Sequence, residues 1–210
     1  MRSLLLAMQG DVEGARSSAR QAWELIEEFE LTLSKGIFAV DVGYAEALAG
    51  DLEGAVQVLR RGHDVLVDVG ETGVLSTLAA LFAHVLLRLG RVDEAESLAL
   101  RSRDIAAVDD LDAQPRWRAA LACVRSRRGE HAGAEELARE AVELVEPLDF
   151  LPLQAVVHDA LGEVLAAGGQ VGEATAAVEQ AAALHERKGD VVSAARSRAV
   201  LDDLRSARPS

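Results

Sequence analysis

The sequence is poor in cysteine, in aromatic residues and in long apolar runs. Cys123 is the single cysteine among 210 residues, which excludes a disulfide framework or a four-cysteine metal site within one chain. The aromatic residues are two Trp, one Tyr and four Phe. Apolar stretches such as residues 4–8 end after a handful of positions. We therefore expect neither a membrane span nor a secretory signal.

Basic residues are also outnumbered by acidic ones. There are 22 Lys and Arg against 35 Asp and Glu, which gives a formal net charge of −13. Because an acidic chain repels phosphates and few rings are available for base stacking, nucleic-acid binding is not expected. Half of the residues are apolar, which suits a globular core. These features predict a cytoplasmic protein without a nucleic-acid or membrane partner.

The sequence contains a clear internal repeat. Five glycines are each followed by an alanine five positions later, with spacings of 40, 40, 39 and 40 residues; they are Gly10, Gly50, Gly90, Gly129 and Gly169. Such a constant period is typical of arrays in which each unit packs only against its neighbours. A looser copy begins at Gly189, only 20 residues after the fifth, and predicts one last single helix.

Each copy has the chemistry of a helical hairpin. Glycine tolerates the left-handed backbone that ends a helix, and a following Asp11 or Asp51 can cap the next one. The alanine lies one turn into the second helix, where a small side chain lets two helices approach closely. Apolar residues recur at helical spacing on both sides, which predicts helices at 2–9, 12–30, 34–49, 52–69, 73–89, 92–108, 114–128, 131–146, 152–167, 171–187 and 191–206.

These residues resemble the tetratricopeptide repeat family. Leu161-Gly162, Gly169, Ala174 and Ala181 follow the family's pattern of a Leu-Gly pair, a turn glycine and two helix-B alanines. The period near 40 exceeds the standard 34 and is similar to that of the long repeats in C-terminal regions of large bacterial regulators, such as MalT-like and LuxR-type activators and cyclase–ATPase regulators. HEAT-type repeats share the period and are the alternative.

The resemblance implies an all-α fold. We expect a right-handed α-α superhelix, or solenoid, of about five hairpins with a C-terminal capping helix. No low-complexity linker divides the chain, so we predict a single domain over residues 1–206 and a frayed tail at 207–210.

The family binds its partners with the first helix of each hairpin, called helix A, which lines a concave groove. Counting back from each helix-B alanine carries the family's groove positions onto this sequence. The candidate partner-binding residues are Tyr44, Thr77, His84, Arg88, Arg116, Cys123, Arg127, Asp159 and Glu163.

An arginine-rich helix is the main candidate within this groove. Residues 114–128 contain five arginines and no acidic residue. One interpretation is that the guanidinium groups bind an acidic peptide or a carboxylate. The alternative is a solvated face that pairs with Glu and Asp of neighbouring helices, because surface ion pairs are common and individually weak.

No catalytic or metal-binding set is expected, and neither is a cofactor. The chain contains no HExxH, P-loop or GxSxG sequence. His84, Cys123 and Glu163 share one repeat position, but packed helices stand about 8–10 Å apart, whereas zinc bonds measure about 2.0–2.3 Å. A common metal ion is therefore not predicted.

These observations lead to two functional hypotheses. The first is a non-catalytic module that binds another protein, or other domains of a larger bacterial signalling or transcriptional regulator of which it forms the C-terminal part. The alternative is an effector-sensing domain that binds a small molecule and controls an attached ATPase, cyclase or DNA-binding domain. The short first helix, with Leu4, Leu5 and Leu6, predicts that the array begins within a unit or that this face self-associates.

Overall fold

The computed structural model describes residues 2–206, and that part of the chain is helical with no strand. Its eleven helices are α1 (Arg2–Met8), α2 (Val12–Glu28), α3 (Thr32–Leu48), α4 (Leu52–Asp68), α5 (Gly73–Arg88), α6 (Val92–Ile105), α7 (Ala113–Arg127), α8 (His131–Val145), α9 (Leu151–Ala167), α10 (Val171–Lys188) and α11 (Val191–Ser206). The predicted all-α class is confirmed, and every helix bound lies within three residues of its prediction. Residues 207–210, the predicted frayed tail, lie outside the described residues.

The five turn glycines adopt the predicted left-handed backbone. Their φ angles lie between 74° and 85°, a region that a side chain rarely enters. In the first turn, the amide of Gly10 donates to the carbonyl of Ala7 and the amide of Asp11 to that of Leu6, which closes the end of α1. The carboxylate of Asp11 then accepts a hydrogen bond from the amide of Gly14 at 2.9 Å. One glycine and one aspartate thus end one helix and start the next.

Small residues allow the helices of a hairpin to pack closely. Ala55, Ala95, Ala134 and Ala174, each five residues after a turn glycine, have no exposed surface. Glycine serves the same purpose within α9, where a Cβ on Gly162 would come within 2.4 Å of a methyl carbon of Val178. The predicted role of small residues at the helix crossings is therefore confirmed.

The chain divides into two compact units, the first ending at Ala106 and the second beginning at Ala107. In unit 1, α1 packs against α2 and α3, α3 against α4, α4 against α5, and α5 against α6. In unit 2, α7 packs against α8 and α9, α8 against α9, and α9 against α10. Each unit is thus built from antiparallel helical hairpins, the arrangement of an α-solenoid repeat. The single domain over residues 1–206 stays a prediction.

The last helix covers the end of unit 2. Leu201 and Leu204 of α11 pack against Val178 and Ala182 of α10. Gly189 has a φ of 80°, and the amide of Ser193 donates to the Asp190 carboxylate at 2.9 Å, so this helix begins as α2 does. Among residues 2–206, no helix combines the length and apolar character that a membrane span needs.

Candidate functional site

The unit 1 candidates lie on α3 and α5, which are the A helices of their hairpins. Tyr44, Thr77 and His84 are half-buried, whereas Arg88 is exposed at the end of α5. A guanidinium nitrogen of Arg88 donates to the carbonyl of Ala47 at 3.1 Å. Because that carbonyl belongs to the last turn of α3, Arg88 caps the neighbouring A helix. A partner that binds Arg88 would have to share it with this backbone contact.

The unit 2 candidates meet across the A helices α7 and α9. A guanidinium nitrogen of Arg127 lies 2.8 Å from the Glu163 carboxylate, and both side chains remain partly exposed, at 31% and 43%. Cys123, one turn before Arg127, is buried at 2% exposure. Burial raises the pKa of this thiol well above its usual value, and the carboxylate of Glu163 adds to the rise. Cys123 is therefore a neutral residue beneath the surface pair.

Two other arginines of the arginine-rich helix, Arg116 and Arg118, are held by nearby acceptors. Arg116, with its side chain 13% exposed, lies 2.6 Å from Asp112. The Nε of Arg118 donates to Glu140 of α8 at 3.0 Å, and its guanidinium carbon lies 4.1 Å from the centroid of the Trp117 ring. These contacts favour the ion-paired interpretation for Arg116 and Arg118, whose side chains are only 13% and 21% exposed. Arg127 also pairs with a carboxylate, but it does so at an exposed position between two A helices.

Asp159 takes part in a polar network that the sequence analysis did not identify. Its carboxylate lies 3.0 Å from Nε2 of His185 and accepts a hydrogen bond from Oγ of Ser197 at 2.8 Å. His185 Nδ1 lies 3.7 Å from the Asp190 carboxylate. His185, Asp190 and Ser197 are each 1% exposed. The network joins α9 to α10 and α11.

These residues do not form a nucleophilic triad, although serine, histidine and aspartate are all present. Ser197 donates to the Asp159 carboxylate, whereas a nucleophilic serine must lie within hydrogen-bonding reach of the histidine that takes its proton. Both Ser197 and His185 are also buried, out of reach of a substrate. In the sequence, Gly189-Asp190 could signal a helix cap, but nothing local links it to Asp159.

Within the described residues, no group of three His, Cys, Asp or Glu side chains could hold a metal ion. The charges of Glu163, Arg127 and Asp159 act on the Cys123 thiol, and the positive charge of the arginine opposes cation binding there. The sites on α7 and α9 can offer exposed hydrogen-bond donors and acceptors to a partner, which is the chemistry of recognition.

Comparisons with known proteins point to the same kind of repeat. Residues 74–147, which comprise most of α5 together with α6, α7 and α8, match the family model described as tetratricopeptide repeat. No curated protein matches the chain.

Two solved structures have a similar fold. The crystal structure of BtubC (BKLC) from P. vanneervenii has a TM-score of 0.58 at 18% identity, covering 97% of this chain and 94% of that one. A Podosopora anserina protein with nearly identical TPR-like repeats has a TM-score of 0.56 at 18% identity, covering 87% of this chain and 91% of that one. Residues 74–147 thus match the tetratricopeptide repeat, and the chain is similar in fold to solved TPR-like repeat proteins.

Proposed function

We propose that this chain is a non-catalytic module that binds another protein through the exposed faces of its A helices. One observation carries the proposal: Arg127 and Glu163 form a half-exposed ion pair across adjacent A helices. Tetratricopeptide repeats typically bind proteins or peptides, and residues 74–147 match that family. Both charged groups are accessible to a partner that offers a competing carboxylate or guanidinium.

The environment of the reactive side chains supports a role without catalysis. Cys123 is buried and its pKa is raised, so thiolate chemistry is suppressed. His185 and Ser197 are buried within a structural network. On the A helices, Arg88, Arg127 and Glu163 lie at the surface, where they are suited to contact a partner.

Site-specific photo-crosslinking tests this proposal. A benzophenone amino acid replaces Glu163 on helix A or, as the matched control, Glu173 on helix B, because each glutamate is exposed and pairs with an arginine. In an extract of the source cells, the variant labelled at position 163 should give one protein adduct that excess unlabelled chain displaces. The variant labelled at position 173 should not give it. Equal adducts at both positions, or none at position 163, would contradict the proposal.

We further propose that the module belongs to a larger bacterial signalling or transcriptional regulator and acts in the cytoplasm, where attached ATPase, cyclase or DNA-binding domains find their substrates. The repeat period near 40 residues supports this context, because the long repeats of such regulators are similar. Sequencing the gene upstream tests it: a fused nucleotide- or DNA-binding domain is expected, and an in-frame stop codon directly before Met1 would contradict it.

A second partner in our proposal is another copy of the chain. Leu5 of α1 is 50% exposed and lies between the half-buried Leu4 and Leu6, so this face could associate with itself. Light scattering at rising protein concentration should detect dimers of the wild type that Leu5→Glu abolishes. A wild type that stays monomeric at every concentration would contradict self-association through α1.

One observation favours the alternative of an effector-sensing domain. Unit 1 contains a cleft of about 580 Å³ among α2, α3 and α4, and this volume lies in the range of small-molecule sites, about 300–1,000 Å³. Thermal stabilisation of the chain by a metabolite would support this alternative, and the absence of stabilisation across a metabolite panel would argue against it.

A further inference from the structure

The cleft in unit 1 combines an apolar floor with charged walls. It lies between the B helices α2 and α4 and above α3. Trp23 forms part of one wall, and its ring packs against that of Phe38 in a T-shaped arrangement, with the two centroids 5.3 Å apart. The apolar lining consists of Ala19, Val42, Val58 and Val65. The cleft thus offers a flat indole and aliphatic side chains to the apolar body of a ligand.

The cleft lies at a junction where an ion pair between consecutive B helices is missing. At two later junctions, an arginine ten residues after a turn glycine pairs with a glutamate four residues after the next one; between Gly90 and Gly129 the two positions are Leu100 and Gly133. Arg60 lies 3.3 Å from Glu94, and Arg139 lies 2.6 Å from Glu173. Each pair joins two consecutive B helices.

At the first junction, this ion pair is missing. Arg20 occupies the arginine position, but the glutamate position is held by Gly54, which has no side chain to offer. No hydrogen bond or ion pair joins the side chain of Arg20 to any other residue in the 2–206 range. Arg20 lines the cleft, so the charge that elsewhere joins two helices is available here to a ligand.

A second cation on the cleft also has no partner within the described residues. Lys35 of α3 also lines it, and no partner is found for its ammonium group within the described part of the chain. Arg16, by contrast, is held by Glu46 at 2.6 Å and by Asp51 at 3.1 Å.

The charge of the lining is unusual for this protein. Four cations and three carboxylates line the cleft; they are Arg16, Arg20, Lys35, Arg61, Glu27, Glu46 and Asp64. The local sum is therefore +1 in a chain whose net charge is −13. Such a local excess attracts small anions to the cleft.

We propose that this cleft binds a small organic anion with an apolar body, such as an aliphatic or aryl carboxylate. The apolar body packs on Trp23 and the aliphatic floor, and the carboxylate accepts hydrogen bonds from Arg20 and Lys35. The forked donors of arginine match a carboxylate, which makes such bonds stronger than neutral ones.

This inference names a ligand class for the effector-sensing alternative and stands apart from protein binding by the A helices. The ligand-binding proposal and the protein-binding proposal can be contradicted independently. The cleft is lined mainly by B helices of unit 1, whereas the crosslinking test probes Glu163 on an A helix of unit 2.

Titration calorimetry with three probes tests the proposal on the full chain. Decanoate has both an apolar body and a carboxylate, decanol lacks the charge, and acetate lacks the apolar body. We expect saturable binding of one decanoate per chain. Decanol, which lacks the charge, and acetate, which lacks the apolar body, should each bind at least about tenfold more weakly, which is equivalent to about 1.4 kcal/mol. In a Trp117→Phe background, decanoate should shift the emission of Trp23, which places the ligand in the cleft.

Matched variants then test which cations bind the carboxylate of decanoate. Arg20→Ala combined with Lys35→Ala should weaken decanoate binding by at least about tenfold, whereas Arg60→Ala, the same repeat position one unit later, should leave it unchanged. Val58→Trp, which fills the cleft, should abolish binding. Absence of decanoate binding to the wild type, equal affinity for decanol, or unchanged affinity in the double variant or in Val58→Trp would overturn the proposal.

Discussion

Glu30 adopts a backbone conformation that its side chain disfavours. Its φ is 53°, and it is the only non-glycine residue with positive φ in the described part of the chain. Gly70, 40 residues later, occupies the same position after α4 with a φ of 71°. In both turns the next amide donates to a carbonyl five residues earlier, Leu31 to Ile26 and Glu71 to Leu66. The turn geometry is thus the same, and in the first turn a glutamate bears the strain.

Replacing this glutamate should therefore stabilise the protein. The left-handed conformation costs a residue with a Cβ about 1–2 kcal/mol, and the extra freedom of unfolded glycine offsets part of the gain. We expect Glu30→Gly to raise the free energy of unfolding by about 0.5–1 kcal/mol, measured by urea denaturation. Glu28→Gly, in the last turn of α2, is the control and should destabilise. Loss of stability in Glu30→Gly would show that the glutamate side chain makes a compensating contact.

His158 on α9 makes the stability depend on pH. Its Nδ1 is buried without a hydrogen-bond partner within residues 2–206. Burial lowers its pKa, against the opposing effect of the carboxylates of Glu146 and Asp159. Because the unfolded chain binds this proton more readily than the folded one, stability falls as the pH drops below the unfolded pKa of about 6.5.

Removing the imidazole should remove that component. Between about pH 7.5 and about pH 5.5, the wild type should lose more unfolding free energy than His158→Gln. His131→Gln is the control, because His131 is exposed and should keep the wild-type dependence. Identical pH profiles of His158→Gln and the wild type would show that this imidazole is not responsible.

The hairpin elements depend on small residues where helices cross. Ala95 of α6 has no exposed surface, so a larger side chain must displace its neighbours. Ala95→Leu should lower the free energy of unfolding by about 1–3 kcal/mol through overpacking. Ser97→Leu, two residues later at an exposed position, should change it by less than about 0.5 kcal/mol. A neutral Ala95→Leu in thermal unfolding would mean that Ala95 does not lie at a crossing.

The last elements of unit 2 depend on the Asp159 network. Asp159→Ala would leave the buried His185 and Ser197 without their carboxylate acceptor, which costs about 1–3 kcal/mol. Amide hydrogen exchange should quicken first in α11, whose Ser197 loses its anchor. Glu179→Ala is the control, since its pair with Arg205 is exposed on both sides and contributes less than about 1 kcal/mol. Equal exchange rates in the two variants would contradict this role.

Elements defined by local chemistry could be predicted from the sequence, and those defined by distant contacts could not. Gly10 and Asp11 specify a helix end and a cap within a few residues, so the hairpins were predictable. The end of α6 was predicted three residues late because Ala106 turns to an extended backbone, with φ −66° and ψ 128°. The bond from Ser197 to Asp159 spans 38 residues, and nothing in the sequence near either residue signals it.

In the candidate site, too, features set by the local sequence could be predicted and those set by helix packing could not. The exposed positions of Arg88, Arg127 and Glu163 follow from the repeat register, but the burial of Cys123 does not, because it depends on how α7 and α9 pack. The Arg116 pair was missed for a local reason. Its partner Asp112 is four residues earlier and directly precedes α7, whereas the sequence analysis expects acidic partners on neighbouring helices.

At the scale of the molecule, arginines form many of the ion pairs that join one helix to another within the described residues. The ion pairs between helices include Arg16 with Glu46, Arg60 with Glu94, Arg118 with Glu140, Arg127 with Glu163 and Arg139 with Glu173. Exposed pairs of this kind each contribute little to stability, about 0–1 kcal/mol. Their side chains can therefore exchange an internal partner for an external one at small cost, and we propose that Arg127 is the one on an A helix that does so.

Calorimetric titration of the protein captured at position 163 tests this account most directly. The titrated chains are the wild type, Arg127→Glu and Arg139→Glu. The last is the matched control, because Arg139 is also ion-paired but lies on helix B. We predict that Arg127→Glu weakens binding by at least about tenfold, through loss of a charge-assisted contact, while Arg139→Glu binds as the wild type does. Equal affinities of all three chains would contradict binding through the A helices.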